Sequence, residues 1–127
     1  MNARKFVILC VEDEQNSLMV RSRVLEKAGY TVIPVNSATE ALAILRSNTV
    51  DLVLTDLLMP GMTGADLARE VKTHYPSIPV MLFSGVNELP PEHSYADLFV
   101  SKLEGPAFLC EKVAEILQRN QMNTPAS

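Results

Sequence analysis

Five short apolar runs punctuate the chain: Phe6 to Val11, Thr31 to Val35, Leu52 to Thr55, Val80 to Ser84 and a weaker one at Leu98 to Val100. None shows the strict polar alternation of a strand with one wet face. Runs this short and rich in β-branched residues suit strands buried on both faces of a sheet. Between them the spacing becomes helical. Ala38, Ala41, Leu42 and Leu45 fall at i, i+3, i+4 and i+7, and Leu109, Val113, Ile116 and Leu117 keep the same period. Ser37 with Glu40, and Thr63 with Asp66, have capping-box spacing, and Gly29 stands where the first helix should stop with a left-handed residue. Strand and helix thus alternate five times. That order implies right-handed crossovers, a parallel sheet and helices on both faces, the doubly wound α/β arrangement.

Composition removes several classes of function. The chain has 127 residues without an internal repeat or a Gly/Ser linker, which describes one domain ending in a polar stretch from Asn120 to Ser127. With 15 acidic and 11 basic side chains the formal net charge is −4, and no Lys/Arg cluster is present to neutralise phosphates, so direct nucleic-acid binding is not expected. Phe6 to Val11 is far shorter than the ~20 apolar residues that cross a bilayer, and no signal-peptide core precedes it, which argues against membrane insertion and export. Cys10 and Cys110 are too few for a disulfide framework and read as small core residues in a reducing, cytoplasmic setting.

In a doubly wound sheet, ligands bind beyond the carboxyl ends of the strands. Glu12 and Asp13 follow the first run, Asp56 the third, Ser84 ends the fourth, and Lys102 lies just past the fifth. Taken singly, an acidic pair after a strand is commonly a helix cap and a lone Asp commonly turn chemistry. Together they converge on one crevice. Three carboxylates and one ammonium sum to −3 + 1 = −2, which repels itself unless a cation joins it. Mg²⁺ suits this set because it accepts a few carboxylates and keeps positions for a phosphoryl oxygen, while zinc would want His or Cys. Asp56 can then act as a nucleophile toward phosphorus, with Ser84 and Lys102 steadying the phosphoryl oxygens.

The stretch Asp51-Leu52-Val53-Leu54-Thr55-Asp56-Leu57-Leu58-Met59-Pro60-Gly61-Met62-Thr63-Gly64 resembles, almost letter for letter, the phosphoacceptor segment of response-regulator receiver domains. Glu12-Asp13, Ser84-Gly85 and Lys102 follow the family's order, and the resemblance covers about residues 5 to 119. It implies a receiver domain over 1–119, a polar tail at 120–127 and a flavodoxin-like (CheY-like) five-stranded sheet of order 2-1-3-4-5. It also implies phosphorylation of Asp56 by a sensor histidine kinase or phosphotransfer protein, with Mg²⁺ held by Glu12, Asp13, Asp56 and the backbone carbonyl of Leu58. Ser84 looks like the hydroxyl that reorients on phosphorylation, and Phe99 like the aromatic switch residue. Such a domain is a signalling phosphoacceptor and no enzyme in the ordinary sense. It would pass its state to a downstream protein, as a stand-alone regulator that is a monomer or weak homodimer.

Several features depart from the family pattern. Leu103 stands where many receivers carry a cis-proline after the lysine, and Pro90-Pro91 falls where a fourth helix would run, so that helix is expected to be short or absent. Leu58 and Val86, two residues after Asp56 and Ser84, are apolar where a polar side chain could orient an attacking water; a long-lived acyl phosphate is therefore expected. His74, at the end of a helix, reads as a partner of the macrodipole, and His93 as a loop residue. Met59 and Met62 read as packing under a turn, and Glu104 as a resting-state partner for Lys102. Three other functions compete. A flavin-binding sheet would need a Ser/Thr/Gly-rich phosphate cradle, and Glu12-Asp13-Glu14 would repel the ligand. A phosphatase would want a general acid at Leu58. A degenerate receiver serving only as a phosphorylation-independent interaction module would not need all five site residues.

Overall fold

The computed structural model describes residues 5–85 and 95–122. In chain order the elements are β1 (Val7–Val11), α1 (Gln15–Lys27), β2 (Thr31–Val35), α2 (Ala38–Ser47), β3 (Leu52–Asp56), α3 (Gly64–His74), β4 (Val80–Ser84), β5 (Leu98–Ser101) and α4 (Pro106–Met122). Each apolar run forms a strand. All four pairings are parallel and the order is β2-β1-β3-β4-β5, as expected of a flavodoxin-like sheet. Pro34, which lacks a ladder N–H, sits on β2 at the edge, where its loss costs least.

The unbroken apolar character of the central strands has a direct cause. Alternate residues supply two cores, one on each side of the sheet. Ile8, Cys10, Leu52, Leu54, Met81 and Phe83 face α1 and α4, burying Leu18, Leu25, Leu109, Val113, Ile116 and Leu117. Leu9, Val11, Val53 and Val80 face α2 and α3, against Ala41, Leu45, Leu67 and Val71.

The helix punctuation read from the sequence also holds. Gly29 adopts φ 103° just after α1, and Thr63 with Asp66 form a reciprocal capping box. Ser37 caps α2 through the Glu40 N–H, whereas the Glu40 carboxylate accepts from Asn36 N–H, one residue before the cap. α4 begins at Pro106, whose missing N–H costs nothing at a first helical position. It continues to Met122, into the segment read as a tail.

Residues 86–94 lie outside the described residues, and with them Val86, Pro90-Pro91, His93 and the expectation about the fourth helix. Among the described residues there are four helices, and none is long and apolar enough to cross a membrane.

One close approach positions the end of β3. Gly64 donates its N–H to Leu57 O at 2.9 Å, and a Cβ built on it would stand 2.0 Å from the carbonyl oxygen of Asp56 and 2.9 Å from Leu82 Cδ2. Gly64→Ala should therefore push α3 away from β3 and cost about 2–3 kcal/mol, the scale of overpacking. Gly105→Ala, with nothing within 4 Å, should stay within about 0.5 kcal/mol. Urea unfolding of both variants checks the pair, and equal stabilities would contradict it.

Candidate functional site

The parallel register of β1 and β3 aligns Val11 with Thr55, so the next residues, Glu12 and Asp56, emerge side by side at the carboxyl edge. Their carboxylates and that of Asp13 each offer an oxygen within 4.8 Å of the others. Asp56 is 2% exposed and Glu12 3%, while Asp13 faces solvent. Lys102 arrives from the far side of β4. Its N–H donates to Ser84 O at 2.7 Å, which aims the side chain so that Nζ lies 3.2 Å from Asp56 Oδ2. The expected partnership of Lys102 with Glu104 is thus not the one found: Asp56 carries two oxygens of a buried charge and holds the ammonium more strongly than an exposed carboxylate.

Sequence reasoning missed a second cation. Arg21 on α1 is 8% exposed; Nη1 lies 3.3 Å from Asp56 Oδ1 and Nη2 3.4 Å from Glu12 Oε1, and the guanidinium stacks 4.3 Å over the Phe83 ring. A signal was present. Leu18, Arg21, Ser22 and Leu25 form the i, i+3, i+4, i+7 stripe that α1 buries, and a charge on such a stripe needs a buried partner. The charge sum therefore needs correcting to −3 + 2 = −1.

The pocket nevertheless still repels negative charge. Burial, and then the neighbouring Asp56, push the Glu12 carboxyl above its usual range, although the Glu14 N–H, donating at 3.0 Å, works the other way. Desolvation and then Glu12 raise Asp13 as well. Glu14, in turn, is the cap of α1, accepting from Ser17 N–H. Burial raises the Cys10 thiol to about 11, which makes it inert core, and Cys10 and Cys110 are both free thiols. All the acidic donors are hard carboxylate oxygens and one of them faces water, a set that fits Mg²⁺ rather than zinc.

The remaining candidates divide. Ser84 is 8% exposed at the end of β4, aligned with Ser101 on β5. Phe99 lies on β5 opposite Leu82 and is 37% exposed. Leu58 is exposed in the loop after β3. Met59 is buried with its sulfur 3.9 Å from Thr55 Oγ1, and Met62 packs on the same core, as expected of turn support. His74 is solvated at the end of α3 and faces Glu70 at 3.8 Å.

The raised Asp13 carboxyl gives a signed expectation. The folded protein binds this proton more tightly than the unfolded chain, so its contribution to stability is complete below the ordinary carboxyl range and is lost as pH rises through the raised value. Without divalent ions, Asp13→Asn should melt above the wild type at pH 7 and match it near pH 3. Thermal melts across that range check this; an equal or lower melting temperature at pH 7 would contradict it.

The match to known proteins spans these residues. The family model described as the response regulator receiver domain matches residues 8–114. The chain is 33% identical over 102 residues to the DNA-binding transcriptional regulator NtrC of Salmonella typhimurium, covering 80% of this chain and 20% of that protein. It is 37% identical over 90 residues to the C4-dicarboxylate transport transcriptional regulatory protein DctD of Rhizobium meliloti, covering 71% and 19%. The chain thus spans about a fifth of the length of these relatives. Among solved structures, a response regulator receiver domain protein (CheY-like) from Methanospirillum hungatei superposes with a TM-score of 0.88 at 26% identity, over 95% of this chain and 100% of that one. The response regulator TrrA of Thermotoga maritima, solved in complex with Mg(2+)-BeF, gives 0.82 at 29% identity, over 87% and 98%. With a family model matched over most of its length and a parallel sheet of order 2-1-3-4-5, the chain belongs to the response-regulator receiver domain family.

Proposed function

We propose that the domain accepts a phosphoryl group onto Asp56 from the phosphohistidine of a sensor histidine kinase or phosphotransfer protein, in a Mg²⁺-dependent reaction, and that the modification switches binding of a downstream protein. The observation that carries this reading is Asp56 itself, a nearly inaccessible carboxylate at the end of the middle strand with a cation on each oxygen. In the reaction an Asp56 oxygen bonds to phosphorus as the phosphorus–nitrogen bond breaks. The imidazole nitrogen keeps the electron pair and takes up a proton. Lys102 pairs with one phosphoryl oxygen and the Ser84 hydroxyl donates to another. Glu12, Asp13, Asp56 and the Leu58 carbonyl would hold Mg²⁺, which supplies charge neutralisation between the carboxylates and the phosphoryl oxygens; the TrrA complex with Mg(2+)-BeF supports the assignment. Ser84 and Phe99, on the paired strands β4 and β5, form the switch. The domain acts in the cytoplasm, a setting that suits its two free thiols.

The decisive measurement is intact mass after incubation with acetyl phosphate and Mg²⁺. A gain of ~80 Da, one phosphoryl group, is expected, and none is expected without the metal or in Asp56→Asn. No adduct under any condition would overturn the reading in favour of a phosphorylation-independent interaction module. Leu58, exposed and apolar beside the acceptor, offers no group to orient water. Leu58→Asn should therefore shorten the lifetime of the acyl phosphate. Equal decay rates, followed by mass after removal of the phosphodonor, would refute a long-lived state.

A further inference from the structure

Arg21 spans the two buried carboxylates of the pocket with the two nitrogens of its fork, at 3.3 Å from Asp56 and 3.4 Å from Glu12. These are long contacts. Charge-assisted N–H···O bonds ordinarily close to about 2.7–2.9 Å, so the guanidinium shares both acids without being locked to either. Beside it opens a cleft of about 390 Å³ lined by Val20, Phe83, Lys102, Glu104, Pro106 and Leu109, with Arg21 itself in its wall. The Phe83 ring lies under the guanidinium, and Glu104 supplies a carboxylate in the lining.

We propose that Arg21 is a tethered counter-ion that holds Glu12 and Asp56 in the resting domain and is displaced toward this cleft when Mg²⁺ binds, so that it sets the domain's metal affinity. The inference rests on the reading of the pocket as a Mg²⁺-dependent phosphoacceptor site. Its physical basis is competition. An oxygen coordinating Mg²⁺ sits about 2.1 Å from the ion, and a guanidinium bonded to the same pair of carboxylates would face a divalent charge at close range. Arginine cannot yield by losing its proton, so it yields by moving. The cleft offers somewhere to go: the Phe83 face keeps a cation–π contact, and Glu104 provides a new partner. Lysine would serve less well, because a point charge cannot bridge two carboxylates as a planar fork does.

Calorimetric titration of the full chain with Mg²⁺ tests this, comparing wild type, Arg21→Leu and Arg21→Lys. Arg21→Leu should bind Mg²⁺ about tenfold more tightly than wild type, within the usual range of coupling between linked ligands, and Arg21→Lys should fall between them. In the wild type, the Arg21 side-chain N–H resonance should shift as Mg²⁺ saturates the site. Should Arg21→Leu fail to fold with its acids unpaired, that resonance and Arg21→Lys decide. A Kd for Arg21→Leu within about twofold of wild type, or an Arg21 resonance unmoved at saturation, overturns the role of Arg21 while metal-dependent phosphorylation stands. Absence of Mg²⁺ binding in every folded form overturns the phosphoacceptor reading and this inference with it.

Discussion

A carboxylate at 2% exposure has to be compensated by its surroundings, and the carboxyl edge of this sheet is organised around that demand at Asp56. The compensation is not local in sequence. Arg21 comes from α1 and Lys102 from the turn after β5, each engaging one oxygen of a side chain at the end of β3. Arg21 and Asp56 form a buried pair, and removing one partner of such a pair costs about 3–5 kcal/mol, whereas Lys102 is about one-third exposed and solvent screens its pair; together the two contacts couple three separated segments of the chain. The close seat of Gly64 against the Asp56 carbonyl adds a fourth, because the start of α3 sits where any side chain would displace the backbone of Asp56.

The two ends of the sheet use the same residue type for opposite purposes. At the amino edge, Asp51 accepts from Val7 N–H and Asp97 from Val80 N–H, both at 2.7 Å, and Asp97 also pairs with Lys72 at 2.7 Å. Backbone donors at that distance pin β1 and β4 where they begin. At the carboxyl edge the cations stand 3.2 to 3.4 Å from the acids, and Glu12 and Asp13 hold their protons more firmly than usual. Tight satisfaction produces stability, while loose satisfaction leaves oxygens able to exchange partners. The proposed function, in which the site admits a cation and a phosphoryl group, needs the second kind.

The fold was legible in the sequence because a two-sided parallel sheet leaves an unambiguous trace: strands such as Leu52–Asp56 and Val80–Ser84 are buried at every position, and their polar residues, Thr55, Asp56 and Ser84, come only at the carboxyl ends. Glu12, Asp13, Asp56 and Lys102 were legible for a related reason, since they stand where such strands stop. Arg21 was not found, because it lies in mid-helix, and its significance depends on which stripe of α1 turns inward. That stripe contains Ser22 as well as Arg21, which blurs its apolar character. The approach of Gly64 to Asp56 was equally hidden, being a property of the distance between α3 and β3 rather than of any local pattern. The pairing of Lys102 with Asp56 instead of Glu104 follows from burial, which spacing along the chain does not report.

The charge balance also suggests how the proposed modification would be felt at a distance. An acyl phosphate carries about two negative charges where the Asp56 carboxylate carried one. The pocket already stands at −1 with both of its own cations engaged, so the added charge has to be met by rearranging them or by importing a cation. Lys102 is the member best placed to transmit that rearrangement. Its backbone N–H is bonded to the Ser84 carbonyl at 2.7 Å, and Ser84 is aligned with Ser101, the residue just before it on β5. Any shift of the ammonium toward new oxygens therefore pulls on the pairing of β4 with the edge strand. Phe99 lies on that strand, partly exposed, with exposed Leu103 in the following turn. On the proposed function, the exposed apolar surface at Phe99 and Leu103 is tied to Asp56 through one backbone hydrogen bond and one ion pair, so a partner reading it would sense the modification through β4, β5 and the Lys102 turn.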